Sequence, residues 1–120
     1  MADVRLGMVE ARFADIVWEA APLTTRELVR ICAEELSWAR TTTYTVLRKL
    51  CDKGIFQMEN GVVSVRVPKK EFSAMQSEQF VEQTFKGSLP AFVAAFTSRK
   101  KISKKEMEEI KELLSAFEEA

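Results

Sequence analysis

The sequence predicts a mainly α-helical protein with one small β-hairpin, in which three helices precede the hairpin and further helices follow it. Apolar residues recur at helical spacing in three segments of the first half of the chain. Beyond Gly54, two short runs rich in β-forming residues flank Asn60-Gly61, a dipeptide typical of tight hairpin turns. Helical spacing returns from Lys69. Three helices followed by a hairpin is the order of a winged helix-turn-helix domain.

The first two helices have clear boundaries. We predict the first helix over Met8–Ala20, because its apolar face ends there and Pro22 follows. The second helix begins at the capping-box pattern of Thr24 and Glu27, in which the hydroxyl accepts from a free amide and the carboxylate reaches back. It ends near Ser37, and only a short turn separates it from the third helix.

The third helix is predicted over about Arg40 to Lys53, and Gly54 is suited to a left-handed cap. The strands are predicted at 55–58 and 62–67, where Pro68 ends the second because proline cannot donate to a ladder. We therefore assign residues 1–68 to the winged domain and residues 69–120 to a helical tail. The inward stripe of the third helix consists of Thr43, Val46, Leu47 and Leu50.

Composition excludes several classes of function. There is no histidine, and the four glycines form no phosphate-binding loop, so we predict no catalytic residue, no metal site, no cofactor and no enzymatic activity. Cys32 and Cys51 lie on apolar helix faces and are expected to be reduced, buried thiols. A net charge of zero argues against indiscriminate coating of nucleic acid. With no signal peptide or membrane span expected, we predict a cytoplasmic protein.

The outward face of the third helix carries our candidates for reading base edges, because this helix of such a domain can lie in the DNA major groove. Arginine pairs with guanine, hydroxyls donate or accept, and threonine methyls contact thymine. β-Branched residues are mediocre helix formers, so helix propensity does not explain the threonines. Alternatively, the first threonines cap the helix while Thr43 packs through its methyl. The predicted base-reading residues are Thr41, Thr42, Tyr44, Thr45 and Arg48.

A second set of residues is predicted to contact DNA phosphates. Arg40, Lys49 and Lys53 flank the outward face of the third helix, although the lysines could equally be solvated. Asn60-Gly61 could present backbone amides, but this hairpin tip has no basic residue. Arg66 is the basic residue on the strands that could compensate.

The tail has more apolar side chains than three short helices can cover by themselves. These side chains either pack on the winged domain or pair with a second copy of the chain. We favour a homodimer, because palindromic DNA sites match two-fold symmetric proteins. The predicted dimerisation residues are Phe72, Phe80, Phe85, Leu89, Phe92, Phe96, Ile110, Leu114 and Phe117.

Nearly the whole chain resembles the penicillinase-repressor family of winged-helix repressors. The resemblance rests on the helix-one pattern ending in Ile16-Val17-Trp18, on residues 38–47 of the turn and third helix, and on Lys53-Gly54. In the tail it rests on residues 85–89 and 102–114. It implies a homodimer that sits on a palindromic operator, which is double-stranded DNA, and blocks transcription.

The resemblance also implies a signal that removes the repressor, by proteolysis in the tail or by metal binding. The bond that matches the family's Asn-Phe cleavage site is Ala95-Phe96, so the asparagine is missing. The copper-responsive members end in a cysteine cluster, which this tail lacks, so metal sensing is not expected. Val62 and Arg66 stand where many members have arginine and tyrosine. The sequence does not identify the inducing signal.

We therefore predict a sequence-specific, dimeric transcriptional repressor. Two alternatives remain from the residues alone. One is a winged-helix module that binds protein through Tyr44 and the threonine face, which the zero net charge allows. The other is a small-molecule sensor with a pocket lined by methionine and phenylalanine.

Overall fold

A computed structural model describes residues 3–119, and in this part of the chain it contains helices and one small sheet. The elements are α1 (Met8–Ala20), β1 (Leu23–Thr24), α2 (Thr25–Leu36), α3 (Arg40–Asp52), β2 (Phe56–Glu59), β3 (Val62–Val65), α4 (Lys69–Phe85), α5 (Leu89–Arg99) and α6 (Lys104–Glu119). The mainly helical fold class with a β-hairpin wing is confirmed.

The helix boundaries follow local capping. At the start of α2, the Thr24 Oγ1 accepts a hydrogen bond of 3.1 Å from the backbone N–H of Glu27. At its end, Ser37 adopts the left-handed conformation, with φ at 56°. Gly54 has φ at +82°, a value that favours glycine, and it follows α3 as predicted. Local capping and positive-φ residues thus mark both ends of α2 and the end of α3.

The sheet has three antiparallel strands in the order β1-β3-β2, whereas only the hairpin β2-β3 was predicted. β1 is two residues long and pairs Leu23 with Val63, which is too short a segment to leave a periodic signal. The predicted strand limits were also wrong at the open end of the hairpin. The Ile55 carbonyl accepts hydrogen bonds from both Arg66 and Val67, at 2.9 and 3.0 Å, so regular pairing ends at Val65.

The core lies where α1, α2 and α3 meet the inner face of the sheet. Trp18 joins α1 to the chain just after β3, because its Nε1 donates to the Val67 carbonyl at 3.0 Å. Its ring lies 5.5 Å from both Phe56 and Phe72, centroid to centroid. Buried apolar residues in this cluster include Val4, Phe13, Ala14, Val17, Leu23, Leu28, Cys32, Leu47, Leu50, Ile55, Phe56, Val63 and Phe72.

Phe72 requires a correction, because we expected it in a dimer interface. It is 2% exposed and packs on Trp18, so it serves the core of the winged domain. The first turns of α4 therefore belong to the same packed unit as the hairpin.

The chain forms two compact units, one ending at Gln79 and the other beginning at Phe80, so α4 contributes to both. In the second unit, an aromatic cluster joins α4 to α5, with ring centroids 5.7 to 6.2 Å apart. Its members are Phe80, Phe85, Phe92 and Phe96. Neither α5 nor α6 contains a buried residue. The functional division at residue 68 stays a prediction.

A matched pair of valines on α1 tests the core. Val17 is fully buried and Val9 is 53% exposed. Val17→Ala should lower the free energy of unfolding by about 2 kcal/mol, because it removes buried methyl groups and leaves a cavity. Val9→Ala should change it by less than about 0.5 kcal/mol. Urea unfolding of both variants measures the difference, and equal effects would contradict the assigned burial.

Candidate nucleic-acid interface

The turn between α2 and α3 fixes where α3 begins. The Trp38 N–H donates to the Cys32 carbonyl at 3.3 Å. The Trp38 ring stacks on Phe13 of α1 at 5.6 Å between centroids and 21° between planes. Since Phe13 is fully buried, this stack anchors the turn to the core. α3 thus leaves the turn from a defined point.

The two sides of α3 differ as the sequence predicted. Thr43, Leu47 and Leu50 are buried. The opposite side presents predicted base-reading residues, and all except the half-buried Tyr44 are exposed: Thr41, Thr42, Thr45 and Arg48. The side chains predicted to read DNA therefore share the solvent-facing surface of one helix.

The alternative explanation for the threonines is half right, because the first threonines do not cap α3 but Thr43 does pack in the core. The residue at the N-cap position is Ala39, whose side chain makes no capping hydrogen bond to the free backbone amides. The hydroxyl of Thr43 donates to the Ala39 carbonyl at 3.4 Å, while the residue itself is 1% exposed and packs in the core. The hydroxyl of Thr45 donates to the Thr41 carbonyl at 2.9 Å, which leaves its oxygen free to accept.

The predicted phosphate-binding cations fall into two groups. Among residues 3–119, Arg40 and Arg48 form no ion pair. The Lys49 Nζ, in contrast, lies 2.7 Å from Glu10 Oε2, and the Lys53 Nζ donates to the Arg5 carbonyl at 2.7 Å. Both lysines are thus engaged with the segment before and at the start of α1.

Glu10 is the centre of that contact. Besides Lys49, its carboxylate accepts from the Gly7 backbone N–H at 2.9 Å. The bond from Lys49, and secondarily that from Gly7, holds the pKa of Glu10 below its ordinary value. A carboxylate in the first turn of α1 also suits the positive end of the helix dipole.

The N-terminal segment is held on its other side by α4. Both backbone polar groups of the buried Val4 pair with glutamines: its N–H donates to Gln79 Oε1 at 3.4 Å, and its carbonyl accepts from Gln76 Nε2 at 3.1 Å. Residues 4–10 therefore connect α4 to the C-terminal half of α3 within the first unit.

The hairpin offers less to DNA than α3 does. Asn60 and Gly61 both have positive φ, 52° and 74°, as a tight hairpin turn requires. The exposed Glu59 precedes them and places a negative charge beside the amides expected to meet phosphate. Arg66 is exposed but follows β3, and four strand residues, about 13 Å, separate it from the tip. These wing residues do not form one cationic patch.

A cleft of about 290 Å³ lies beside α3 and is lined by Thr25, Arg26, Val29, Arg40 and Tyr44. The Arg40 Cζ lies 5.6 Å from the centroid of the Tyr44 ring, within cation–π range. A hydrogen bond with the Thr25 side chain, and then the bond and charge of Arg40, lower the pKa of Tyr44. Arg26 was not among the predicted site residues. Its signal was a cation in the first turn of α2, where the helix dipole opposes positive charge.

A model of the penicillinase repressor family matches residues 6–116. The chain belongs to the penicillinase repressor family. It is 23% identical over 109 residues to the penicillinase repressor of Bacillus licheniformis, covering 88% of this chain and 85% of that protein. It is 20% identical over 114 residues to the methicillin resistance regulatory protein MecI of Staphylococcus aureus strain Mu50, covering 92% and 93%. The predicted resemblance is confirmed, and the chain is a DNA-binding winged-helix repressor and not an enzyme.

In this penicillinase repressor family protein, the second unit leaves much apolar surface uncovered. Leu89 is 56%, Leu114 61% and Phe117 84% exposed. The bond predicted to match the family's cleavage site, Ala95-Phe96, lies inside helix α5.

Three further findings concern the rest of the described chain. Cys32 and Cys51 are free thiols, and burial raises the pKa of each. Within residues 3–119, no group of three or more cysteine, aspartate or glutamate side chains could hold a metal ion. In the same stretch, no helix combines the length and the apolar character needed to cross a membrane.

Glu10→Gln tests the contact between α1 and α3. Because the pKa of Glu10 is lowered on folding, its charge stabilises the protein above the pKa of the unfolded state, and the effect is lost as the pH falls through the folded pKa. The variant should lose up to about 1 kcal/mol of unfolding free energy at neutral pH, and this loss should shrink as the pH falls through the folded pKa of Glu10.

Urea unfolding at several pH values measures this difference. Glu19→Gln is the matched control, since Glu19 is on the same helix and forms no ion pair within residues 3–119. If Glu10→Gln loses the same unfolding free energy in acid as at neutral pH, then the charge of Glu10 is not what stabilises the contact.

Proposed function

We propose that this protein is a homodimeric transcriptional repressor that binds a palindromic operator in the bacterial cytoplasm, with α3 in the major groove. The single observation that carries the proposal is the outward face of α3, on which Thr41, Thr45 and Arg48 form an exposed stripe. These positions are spaced by four and three residues, so they lie along one side of the helix. Their donors and acceptors suit base edges.

The remaining candidate residues have different proposed roles in DNA binding. Thr42 lies at the edge of the stripe and can reach either a base or a phosphate, while Arg40 is assigned to phosphate. Lys49 and Lys53 each already use one N–H donor inside the protein, on Glu10 and on the Arg5 carbonyl, so we assign them a secondary contribution through their remaining donors. On the wing, Asn60 and Gly61 offer backbone amides and Arg66 a single charge.

The second copy is the partner proposed for the tail. On α6, the apolar residues Met107, Ile110, Leu114 and Phe117 are spaced by three or four positions and are 40% or more exposed. Such a stripe on a helix without buried residues is typical of a helix that pairs with another helix. Leu113, which is 71% exposed, widens the stripe.

The charges of α6 favour self-association. Its first turn carries two lysines, Lys104 and Lys105, beside one carboxylate, Glu106, and its last turn carries Glu118 and Glu119. Antiparallel pairing of α6 with the same helix of a second copy would set these opposite charges side by side. An isologous contact of this kind gives the two-fold symmetry that a palindromic operator requires.

The first experiment is selection from a random duplex library at near-physiological salt, in competition with bulk DNA. We expect enrichment of a palindrome whose half-sites are about one helical turn apart, roughly 34 to 36 Å. If no sequence is enriched, sequence-specific binding is refuted under these conditions, and protein partners become the object of the search.

Arg48→Ala tests base reading. If the guanidinium pairs with a base, the variant should lose about 1 to 3 kcal/mol of binding free energy on the selected duplex and little on a scrambled one. Equal losses on both duplexes would assign Arg48 to phosphate, and no loss on either would remove it from the interface. Fluorescence anisotropy with labelled duplexes measures both affinities.

Phe117→Ser tests the dimer, with Met8→Ser as the matched control. The two residues are 84% and 85% exposed, but Met8 lies in the first unit. Phe117→Ser should weaken dimerisation at least about tenfold, because each dimer loses two buried aromatic contacts. Sedimentation velocity measures the oligomeric state. Identical behaviour of the two variants would contradict the proposed interface.

A further inference from the structure

The cleft beside α3 brings two cations from different helices to one opening. Arg26 lies in the first turn of α2 and Arg40 in the first turn of α3, and both line the same space of about 290 Å³. The residues that line it include no carboxylate. Two like charges at one opening repel each other, and an anion bound between them offsets this repulsion by attracting both.

Within residues 3–119, no carboxylate neutralises either of these two arginines through an ion pair. Arg30, one turn further along α2, in contrast pairs with Glu34 at 3.5 Å. Guanidinium groups bind phosphate oxygens through paired hydrogen bonds of fixed geometry. An anion with several oxygens is therefore the ligand that this pair fits.

Tyr44 fixes the position of Arg40. Its ring lies 5.6 Å from the Arg40 Cζ, one helical turn away on α3, and its side chain is half-buried. The phenol is held from α2 by the Thr25 side chain. Tyr44 is thus occupied at its ring face and at its hydroxyl. It lies to one side of the stripe formed by Thr41, Thr45 and Arg48.

We propose that the cleft binds one phosphate of the DNA backbone, with Arg26 and Arg40 as its ligands and Tyr44 as the residue that positions Arg40. The proposal rests on the proposed function, and it moves Tyr44 from base reading to positioning. DNA is the source of the phosphate because the cleft opens beside the base-reading stripe. A helix in the major groove has the sugar–phosphate backbone along its flank.

The salt dependence of DNA binding tests the two ligands. Arg26→Gln and Arg40→Gln should each weaken the selected and the scrambled duplex by the same factor, roughly tenfold. Because both residues serve one phosphate, the double variant should lower the slope of log affinity against log salt by about 0.9 in total. Arg30→Gln, on the same helix but paired, should leave affinity and slope unchanged.

Several outcomes would overturn the proposal that Arg26 and Arg40 bind one DNA phosphate together. A slope change of about 1.8 in the double variant would mean two separate phosphates. If Arg26→Gln leaves the DNA affinity and the salt slope unchanged, as Arg30→Gln should, then Arg26 is not a ligand of the phosphate. Thermal stabilisation of the wild type by inorganic phosphate, together with an unchanged slope in the variants, would assign the cleft to a free anion. In each case wild-type binding to the selected duplex is retained, whereas its absence would refute the proposed function itself.

A double-mutant cycle tests Tyr44. Tyr44→Leu should weaken both duplexes equally in the wild-type background and add nothing in the Arg40→Gln background, because its effect passes through Arg40. Tyr44→Phe keeps the ring beneath the guanidinium and should retain most of the affinity. If Tyr44→Leu weakens only the selected duplex and adds to Arg40→Gln, then Tyr44 reads a base. Thermal melting of each variant checks that the winged domain is folded.

Discussion

The stacking of Trp38 on Phe13 is the contact on which the placement of α3 depends. Trp38 lies in the short turn before α3, and Phe13 is fully buried at the centre of α1. Anchoring this turn to the core determines where α3 starts, and the burial of Thr43, Leu47 and Leu50 then determines its rotation. Once both are set, the outward face follows from the helical repeat.

The basic side chains on and around α3 are divided by what they contact inside the protein. Lys49 contacts a carboxylate in the first turn of α1, and Lys53 contacts a backbone carbonyl in the segment before that helix. Arg26, Arg40 and Arg48 form no ion pair within the described residues. Arginine is the better ligand for bases and phosphates because its planar group makes paired bonds. A chain with zero net charge can in this way keep three arginines available for the proposed contact with DNA.

The second unit differs from the first because its last two helices, α5 and α6, contain no buried residue. The aromatic cluster of α4 and α5 holds its first part together, but α6 has no buried residue. Its apolar stripe and the lysines and glutamates near its two ends are the basis of the proposed pairing with a second copy. In the proposed dimer, the stability of this unit would depend on protein concentration, as it does in obligate dimers.

The sequence by itself determined the order of elements, the boundaries of α1, the hairpin turn and the two faces of α3, because helical repeat, capping and turn chemistry act over a few residues. Tertiary structure decided the rest. It added β1, placed Phe72 in the core, engaged Lys49 and Lys53, and brought Arg26 to Arg40. Contacts such as the bond of Lys53 to the Arg5 carbonyl join residues 48 positions apart, and no local pattern encodes such a distance.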